Sequence, residues 1–404
     1  MNTAAVRAWL LRGAPLLLAV SLAVQLPLLL GPSFDSSGLV DLRVYRSGAP
    51  HVLHGGLYDF RLHGADGADL FPLPFTYPPF AALLFLPLAA VPLPVAAAVW
   101  LLASALALGV FVHCCLRLTG PAAPSLRHTL AWTTAALWTE PVLDTHSYGQ
   151  VNVLLAACVT AGVLQRGTLG GLGTGLAAAV KLTPATACCY FLLNRRWRAT
   201  AGACAAFAAA TAGAWLIAPD ASARFWFHVR SVTTGVQPTG TELNQSLRGA
   251  LSRTLGHDVG LSAPWWLLAV PVAALALAAA VRCLRRTDPL GCLVAVEFLG
   301  LLLSPVAWGH HWVWAVPAVL VLYRDLRLSP LHRAALALWA VLLLSQAVRL
   351  IAAAEESMWG FARPWYLTAF GWAYPTAALL TLAAQALTPR TARTTRPSEV
   401  PVRP

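Results

Sequence analysis

Apolar residues run along this chain in long blocks broken by short polar intervals. The blocks lie at 8–30, 77–91, 95–116, 128–141, 150–164, 169–193, 199–218, 265–283, 290–305, 310–323, 332–350 and 365–387. A helix that crosses a bilayer needs about 20 such residues. The pattern therefore predicts an all-α polytopic membrane protein, a single bundle of about 10–12 transmembrane helices. Blocks 77–91, 128–141 and 150–164 are shorter than the minimum of about 17 residues. They predict broken or re-entrant helices, which survive in a membrane only where they line a cavity covered by protein. No heptad is present and no inverted repeat of the transporter kind is visible. The first block is too long for a signal peptide, and Leu30-Gly31-Pro32 is a poor cleavage site, so an uncleaved first helix is expected.

The polar intervals add organisation. Residues 31–76 form a large first loop, in which Leu39–Leu53 predicts a short helix lying on the membrane. From Thr388 the chain turns rich in Pro, Thr and Arg, so residues 388–404 read as a basic disordered tail behind one domain, 1–387. Composition agrees: only 11% of residues are charged and mean hydropathy is +0.65, whereas soluble domains carry roughly 25% charged residues. The net charge of +12 is concentrated in arginines such as Arg195/Arg196/Arg198, Arg282/Arg285/Arg286 and Arg324/Arg327/Arg333, each beside an apolar block. That is the positive-inside signature, and it places both termini in the cytoplasm of a cell-membrane protein. Nucleic-acid binding would need a basic face on a soluble element, so it is excluded as a reading. Under this orientation residues 219–264, 304–311 and 351–364 lie outside, while Arg117 and Arg127 run against the rule. The eight cysteines sit in or beside apolar runs as small hydrophobes, and no Cys/His spacing suits a metal.

Polar residues inside so apolar a chain carry the chemistry, because burying them is costly. Asp41, Arg43 and Tyr45 stand together in the first loop. Asp41 is a general base for a sugar hydroxyl, or a solvated partner of Arg43, and Asp35 is a rival base. Tyr77 heads an apolar block before Pro78-Pro79, as an interface anchor or a site-shaping residue. Gln150 and Asn152 open another block, either as interhelical glue or as sugar ligands. Lys181 interrupts an apolar run just before Pro184, as expected for a helix break that aims an ammonium at a phosphate or lets it snorkel. Asn244, Gln245 and Arg248 lie in the long outer loop, and Trp308, His310 and His311 between two blocks, as anchors or as phosphate and sugar ligands. Glu297 is the one evident acid deep in an apolar block. Arg43, Lys181, Arg248, His310 and His311 together would offset charge on a leaving phosphate, with Asp41 taking the acceptor proton. A transporter or flippase of a lipid-linked sugar is the alternative. Such a protein should show repeat symmetry and several deep acids.

The motifs Asp41–Tyr45, Tyr77-Pro78-Pro79, Gly149–Asn152, Lys181–Pro184, Asn244–Ser246 and Ser304–Trp308 with His310-His311 resemble those of glycosyltransferase family 87. They fall in family order over about residues 41–311. This family comprises actinobacterial α-mannosyltransferases of the GT-C superfold that depend on polyprenyl-phosphate-mannose. The resemblance implies inverting transfer from that lipid donor to a glycolipid or glycan acceptor among membrane lipids, at an extracytoplasmic site. It implies an α-mannoside, α-1,2 in linkage, and no cofactor beyond the lipid donor. By the same resemblance Asp41 is the expected base, with His310 and His311 at the active site. A member using another polyprenyl-phosphate sugar stays open.

Overall fold

A computed structural model describes residues 3–30, 38–63, 72–120, 123–233, 238–355 and 360–388. Asp35 and residues 389–404 of the expected tail lie outside the described residues. The described chain is helical, apart from an antiparallel pair of two-residue strands, Arg61–Leu62 with Leu73–Pro74. Among the described residues, four helices are long and apolar enough to cross a membrane: Leu93–Thr119, Trp197–Ile217, Ala263–Arg285 and Trp365–Leu387. A fifth span results if Glu140–Tyr148 and Asn152–Leu164, which meet at 119°, are counted together. The twelve apolar blocks are therefore not twelve straight crossings. Pro79–Ala89, Leu169–Val180, Thr183–Leu193, Pro289–Leu303 and Pro330–Ser345 are shorter apolar helices. Pro, Gly or a polar residue interrupts the backbone at their ends.

Membrane chemistry explains how these helices pack. Val99, Leu102 and Leu106 form an exposed stripe at helical spacing on Leu93–Thr119, a lipid-facing surface. Helix–helix contacts use small residues and hydrogen bonds, since lipid is as apolar as leucine. Leu169–Val180 lies on Trp197–Ile217 through glycines. A Cβ at Gly171, Gly175 or Gly202 would drive into the carbonyl of Ala199, Ala203 or Thr168 respectively. The first helix, Thr3–Leu30, is tied to the Leu126–Leu137 hairpin arm by polar contacts. Gln25 Nε2 donates to the Leu137 carbonyl at 3.0 Å, and Trp138 Nε1 to Ser21 Oγ at 3.0 Å.

Two breaks and one roof shape the site. Gly149, at φ 69°, ends Glu140–Tyr148 in the left-handed conformation, and the chain re-enters a helix at Asn152. The second break follows Val180: Lys181 is extended, and a tight 3-10 turn, Thr183–Thr186, begins with Pro184 in its first turn. The short helix expected on the membrane surface is found as Val40–Gly48, but it is docked into the protein. Leu42 and Tyr45 are fully buried, and the Leu39 amide donates to the Ser147 carbonyl at 2.9 Å. A Cβ at Gly149 would stand 2.7 Å from Leu42 Cβ, so only glycine lets the roof close over the bend.

Candidate active site

The roof, both breaks and the loop after Ser304 enclose a cavity of about 390 Å³. Asp41, Tyr77, Gln150, Lys181, Trp308, His310 and His311 all face it. They come from five separate stretches of sequence.

Lys181 is the hub. Its ammonium donates to Asn152 Oδ1 at 2.8 Å and to His311 Nε2 at 3.0 Å, and stands 3.4 Å from Gln150 Oε1. It also lies 5.3 Å from the centre of the Tyr77 ring. All three hydrogen-bond acceptors are neutral, so they orient the ammonium without cancelling its charge. The contact fixes the His311 tautomer: Nε2 accepts, so Nδ1 carries the hydrogen. That Nδ1 is buried without a protein partner, as is Nε2 of the adjacent His310. Both rings line the cavity, and the protein leaves these two enclosed nitrogens unsatisfied. The His310 carbonyl is held by Asn152 Nδ2 at 2.9 Å, and the Tyr148 ring meets the His310 ring edge-on at 5.6 Å.

Hydrogen-bond counting also orients Gln150. Tyr45 donates to the Tyr77 hydroxyl at 2.8 Å, and Tyr77 to Gln150 Oε1 at 3.0 Å. Gln150 Oε1 thereby accepts from Tyr77 as well as Lys181, leaving its amide nitrogen to donate towards Asp41. Asp41 is half-buried on the first turn of the roof helix. Burial pushes its carboxyl up, while the Gln150 hydrogen bond and the Lys181 charge pull it back, leaving it at about 6. Near neutral pH such a group is a carboxylate with enhanced basicity, the property a general base needs.

Other expected ligands are placed elsewhere. Tyr45 is buried behind the cavity wall. Arg43 donates to the Gly38 carbonyl at 3.0 Å and is not among the cavity-lining residues. Arg248 is paired with Asp258 at 2.8 and 2.5 Å, also off the cavity. Asn244 and Gln245 are fully buried and shape the site from behind. Asn244 Oδ1 accepts from the Ala307 amide at 3.0 Å, and the Gln245 amide donates to the Ala307 carbonyl at 2.9 Å. They clamp the loop that presents Trp308, His310 and His311.

Behind that clamp sits Arg253, which sequence reasoning missed. It donates to the carbonyls of Thr241 at 2.6 Å, Asn244 at 3.1 Å and Gly371 at 2.9 Å, with Nε 3.3 Å from Glu242. Glu242 is in turn 3.5 Å from Arg363, and Glu355 accepts from the Glu242 amide. No periodicity links these positions, so their pairing has no signature in the sequence. Tyr148, Leu182 and Thr183 line the cavity as well; Leu182 and Thr183 fall inside the Lys181–Pro184 motif, and Tyr148 stands two residues before Gln150.

A second cavity, of about 420 Å³, adjoins the first. Leu182, Thr183, Ser304 and His311 belong to both walls. Its remaining lining is mostly apolar, with Leu155, Val159, Val296, Leu299 and Trp314, interrupted by Asn152, Thr186 and Glu297.

The chain is similar to several known mannosyltransferases. A polyprenol-phosphate-mannose-dependent alpha-(1-2)-phosphatidylinositol pentamannoside mannosyltransferase of Mycolicibacterium smegmatis is 40% identical over 377 residues, 92% of this chain and 90% of the relative. A protein of the same description from Mycobacterium tuberculosis is 42% identical over 377 residues, 92% of this chain and 86% of the relative. A third, a polyprenol-phosphate-mannose-dependent alpha-(1-2)-phosphatidylinositol mannoside mannosyltransferase of Mycobacterium tuberculosis, is 36% identical over 70% of each chain. No solved structure matches. The profile of glycosyltransferase family 87 matches residues 75–305, a stretch that holds Tyr77, Gln150, Asn152 and Lys181 but neither Asp41 nor His310 and His311. With that match over more than half its length, and relatives this similar over nearly all of it, the chain belongs to glycosyltransferase family 87.

Proposed function

We propose that this membrane glycosyltransferase moves mannose from polyprenyl-phosphate-mannose to a mannosylated phosphatidylinositol, forming an α-1,2 linkage at the extracytoplasmic face. The donor, linkage and acceptor class follow the relatives that align with nearly the whole chain. The observation that carries the mechanism is the Lys181 hub: a cation held by neutral acceptors, beside two unpartnered histidine nitrogens, in the same cavity as Asp41. The leaving phosphate fits against Lys181, His310 and His311, and the polyprenyl chain fits the adjoining apolar cavity. Asp41 takes the proton of the acceptor hydroxyl, whose oxygen attacks the anomeric carbon from the face opposite the phosphate. The C–O bond to phosphate breaks, and the phosphate keeps the electron pair. Polyprenyl phosphate is a good leaving group, so one base suffices. A flippase would have no use for a base so placed.

The test is a transfer assay. Purified protein receives polyprenyl-phosphate-mannose and phosphatidylinositol pentamannoside, and the product linkage is read by mass spectrometry and glycosidase digestion. Product from the wild type and almost none from Asp41→Asn is expected. Equal product from both removes Asp41 as base, and no transfer by the wild type removes the reading. Sidedness is tested by a cysteine at the exposed Leu261, in a background without native cysteines. Labelling by an impermeant maleimide from outside intact cells is expected, and labelling only after lysis overturns the orientation.

A further inference from the structure

Glu297 is a side chain the mechanism above does not use. It sits midway along the otherwise apolar helix Pro289–Leu303 and is 4% exposed. An ionisable group so placed is costly and calls for a specific partner. Its partner is Thr186, the last residue of the 3-10 turn that follows Lys181: Thr186 Oγ1 is 3.1 Å from Glu297 Oε2. The same hydroxyl lies 2.9 Å from the Thr183 carbonyl. A threonine hydroxyl has one hydrogen, so both contacts are satisfied together only when the Glu297 carboxyl carries a proton and donates to Thr186. The chain of donors then runs from Glu297 to Thr186 to the Thr183 carbonyl. Gly300, one helical turn on, completes the seat, since a Cβ there would meet the Thr186 side chain at 2.5 Å. The other carboxyl oxygen, Oε1, is buried with no protein partner, and Glu297 lines the apolar cavity.

The turn held in this way is the partition. Thr183 and Leu182 belong to both cavities, and Lys181 precedes them directly. We propose that Glu297 is a positioning residue. Through Thr186 it fixes the turn that divides the two cavities, and so sets where the phosphate of a polyprenyl-phosphate donor comes to rest against Lys181. This rests on the donor reading given above.

The test uses the full chain, purified in detergent. Two readouts are taken: the Kd for decaprenyl phosphate by calorimetry, and the KM for donor and acceptor with kcat. Glu297→Ala and Thr186→Val each remove the link, and the second preserves volume if the first folds poorly. Each is expected to weaken decaprenyl phosphate binding and raise donor KM about three- to tenfold, the loss of one hydrogen bond. Acceptor KM stays put. The double variant is no worse than the worse single one, because both break one link. Glu297→Gln, whose amide can donate to Thr186, recovers most of the loss. Wild-type Kd and donor KM in both single variants, with only a lower Tm, overturn the proposal, as does full additivity in the double variant. A wild type that binds decaprenyl phosphate but transfers no mannose overturns the donor reaction alone, and the Kd comparison still decides the role of Glu297. A wild type that does not bind it overturns both.

Discussion

Replacing Lys181 by methionine keeps most of the length of the side chain and removes the charged end. The ammonium is the hub of the site, bonded to Asn152 at 2.8 Å and His311 at 3.0 Å. A unit charge pair about 4 Å apart, at an effective dielectric of about 20, is worth about 4 kcal/mol. The donor phosphodiester brings one negative charge to the ground state. The leaving phosphate develops roughly half a further charge at the transition state, worth about 2 kcal/mol on the same scale. Lys181→Met should therefore lower kcat about thirtyfold and kcat/KM by at least about a thousandfold, because both the existing and the developing charge lose their partner. Stability changes less. Asn152, His311 and Gln150 each lose one donor, at about 1 kcal/mol apiece, but a costly buried charge is also removed. Steady-state transfer from polyprenyl-phosphate-mannose measures both constants, and a melting curve checks the fold. A fall in kcat/KM of less than about tenfold, in a variant with near-native Tm, would refute the placement of the phosphate at Lys181.

Four further outcomes are expected. Asp41→Asn lowers kcat by about 10²–10⁴, the usual contribution of a general base. In the wild type, kcat/KM falls as pH drops through about 6, because burial raises the Asp41 carboxyl there and protonation removes the base. An activity profile flat from pH 5 to 8 speaks against that assignment. Gly149→Ala places a methyl 2.7 Å from Leu42 Cβ at a positive φ of 69°, so it should lift the roof helix and cut activity more than tenfold; unchanged turnover would show that the roof does not set the geometry. Arg253→Met leaves the Glu242 carboxyl buried beside Arg363 and frees three carbonyls, at about 3–5 kcal/mol. A Tm within about 2 °C of wild type would refute that cost.

Much of the architecture is legible because membrane solvent leaves few choices. Apolar blocks mark helices, and interruptions by Gly149, Lys181 and Pro184 mark the two breaks that build the cavity. Short blocks at 128–141 and 150–164 foretell the bend of 119° between Glu140–Tyr148 and Asn152–Leu164. Less legible is anything that depends on who sits opposite. Leu39–Leu53 has the pattern of a surface helix, and one face of it is buried because Tyr77, Phe85 and Trp100 pack on Tyr45 while Ser147 and Gly149 receive its start. Arg248 and Arg253 look equivalent in sequence as cations of one loop. Asp258 takes the first and Glu242 the second, so neither faces the cavity. Residue type reveals that a charge must be answered, while the fold alone decides by what.

The surviving charges in the cavity suggest why one lysine and one aspartate are enough. In the proposed reaction the site holds, before transfer, the Asp41 carboxylate, the Lys181 ammonium and a singly charged phosphodiester. Afterwards Asp41 is neutral, having taken the acceptor proton, and the departing polyprenyl phosphate carries a second negative charge. The sum does not change. Negative charge simply moves from Asp41 to the phosphate, on either side of the Gln150–Lys181 bridge. In a partly buried cavity, a reaction that created net charge would incur a desolvation cost of several kcal/mol. Moving charge towards a fixed ammonium avoids it. That ammonium must already be oriented, because turning solvent or side chains during the reaction would add to the barrier. Asn152, Gln150 and His311 supply that orientation as neutral acceptors. A carboxylate in the place of any of them would satisfy Lys181 in the resting site and leave less of its field for the leaving group. Hence Asn152→Asp, nearly isosteric but without the donor to the His310 carbonyl, is expected to hold Lys181 more tightly and yet to bind decaprenyl phosphate more weakly than the wild type, and more weakly than Asn152→Leu, which lacks the same donor without adding charge. Calorimetry on the three proteins measures this directly, and binding by Asn152→Asp equal to or tighter than that of either would contradict the charge argument.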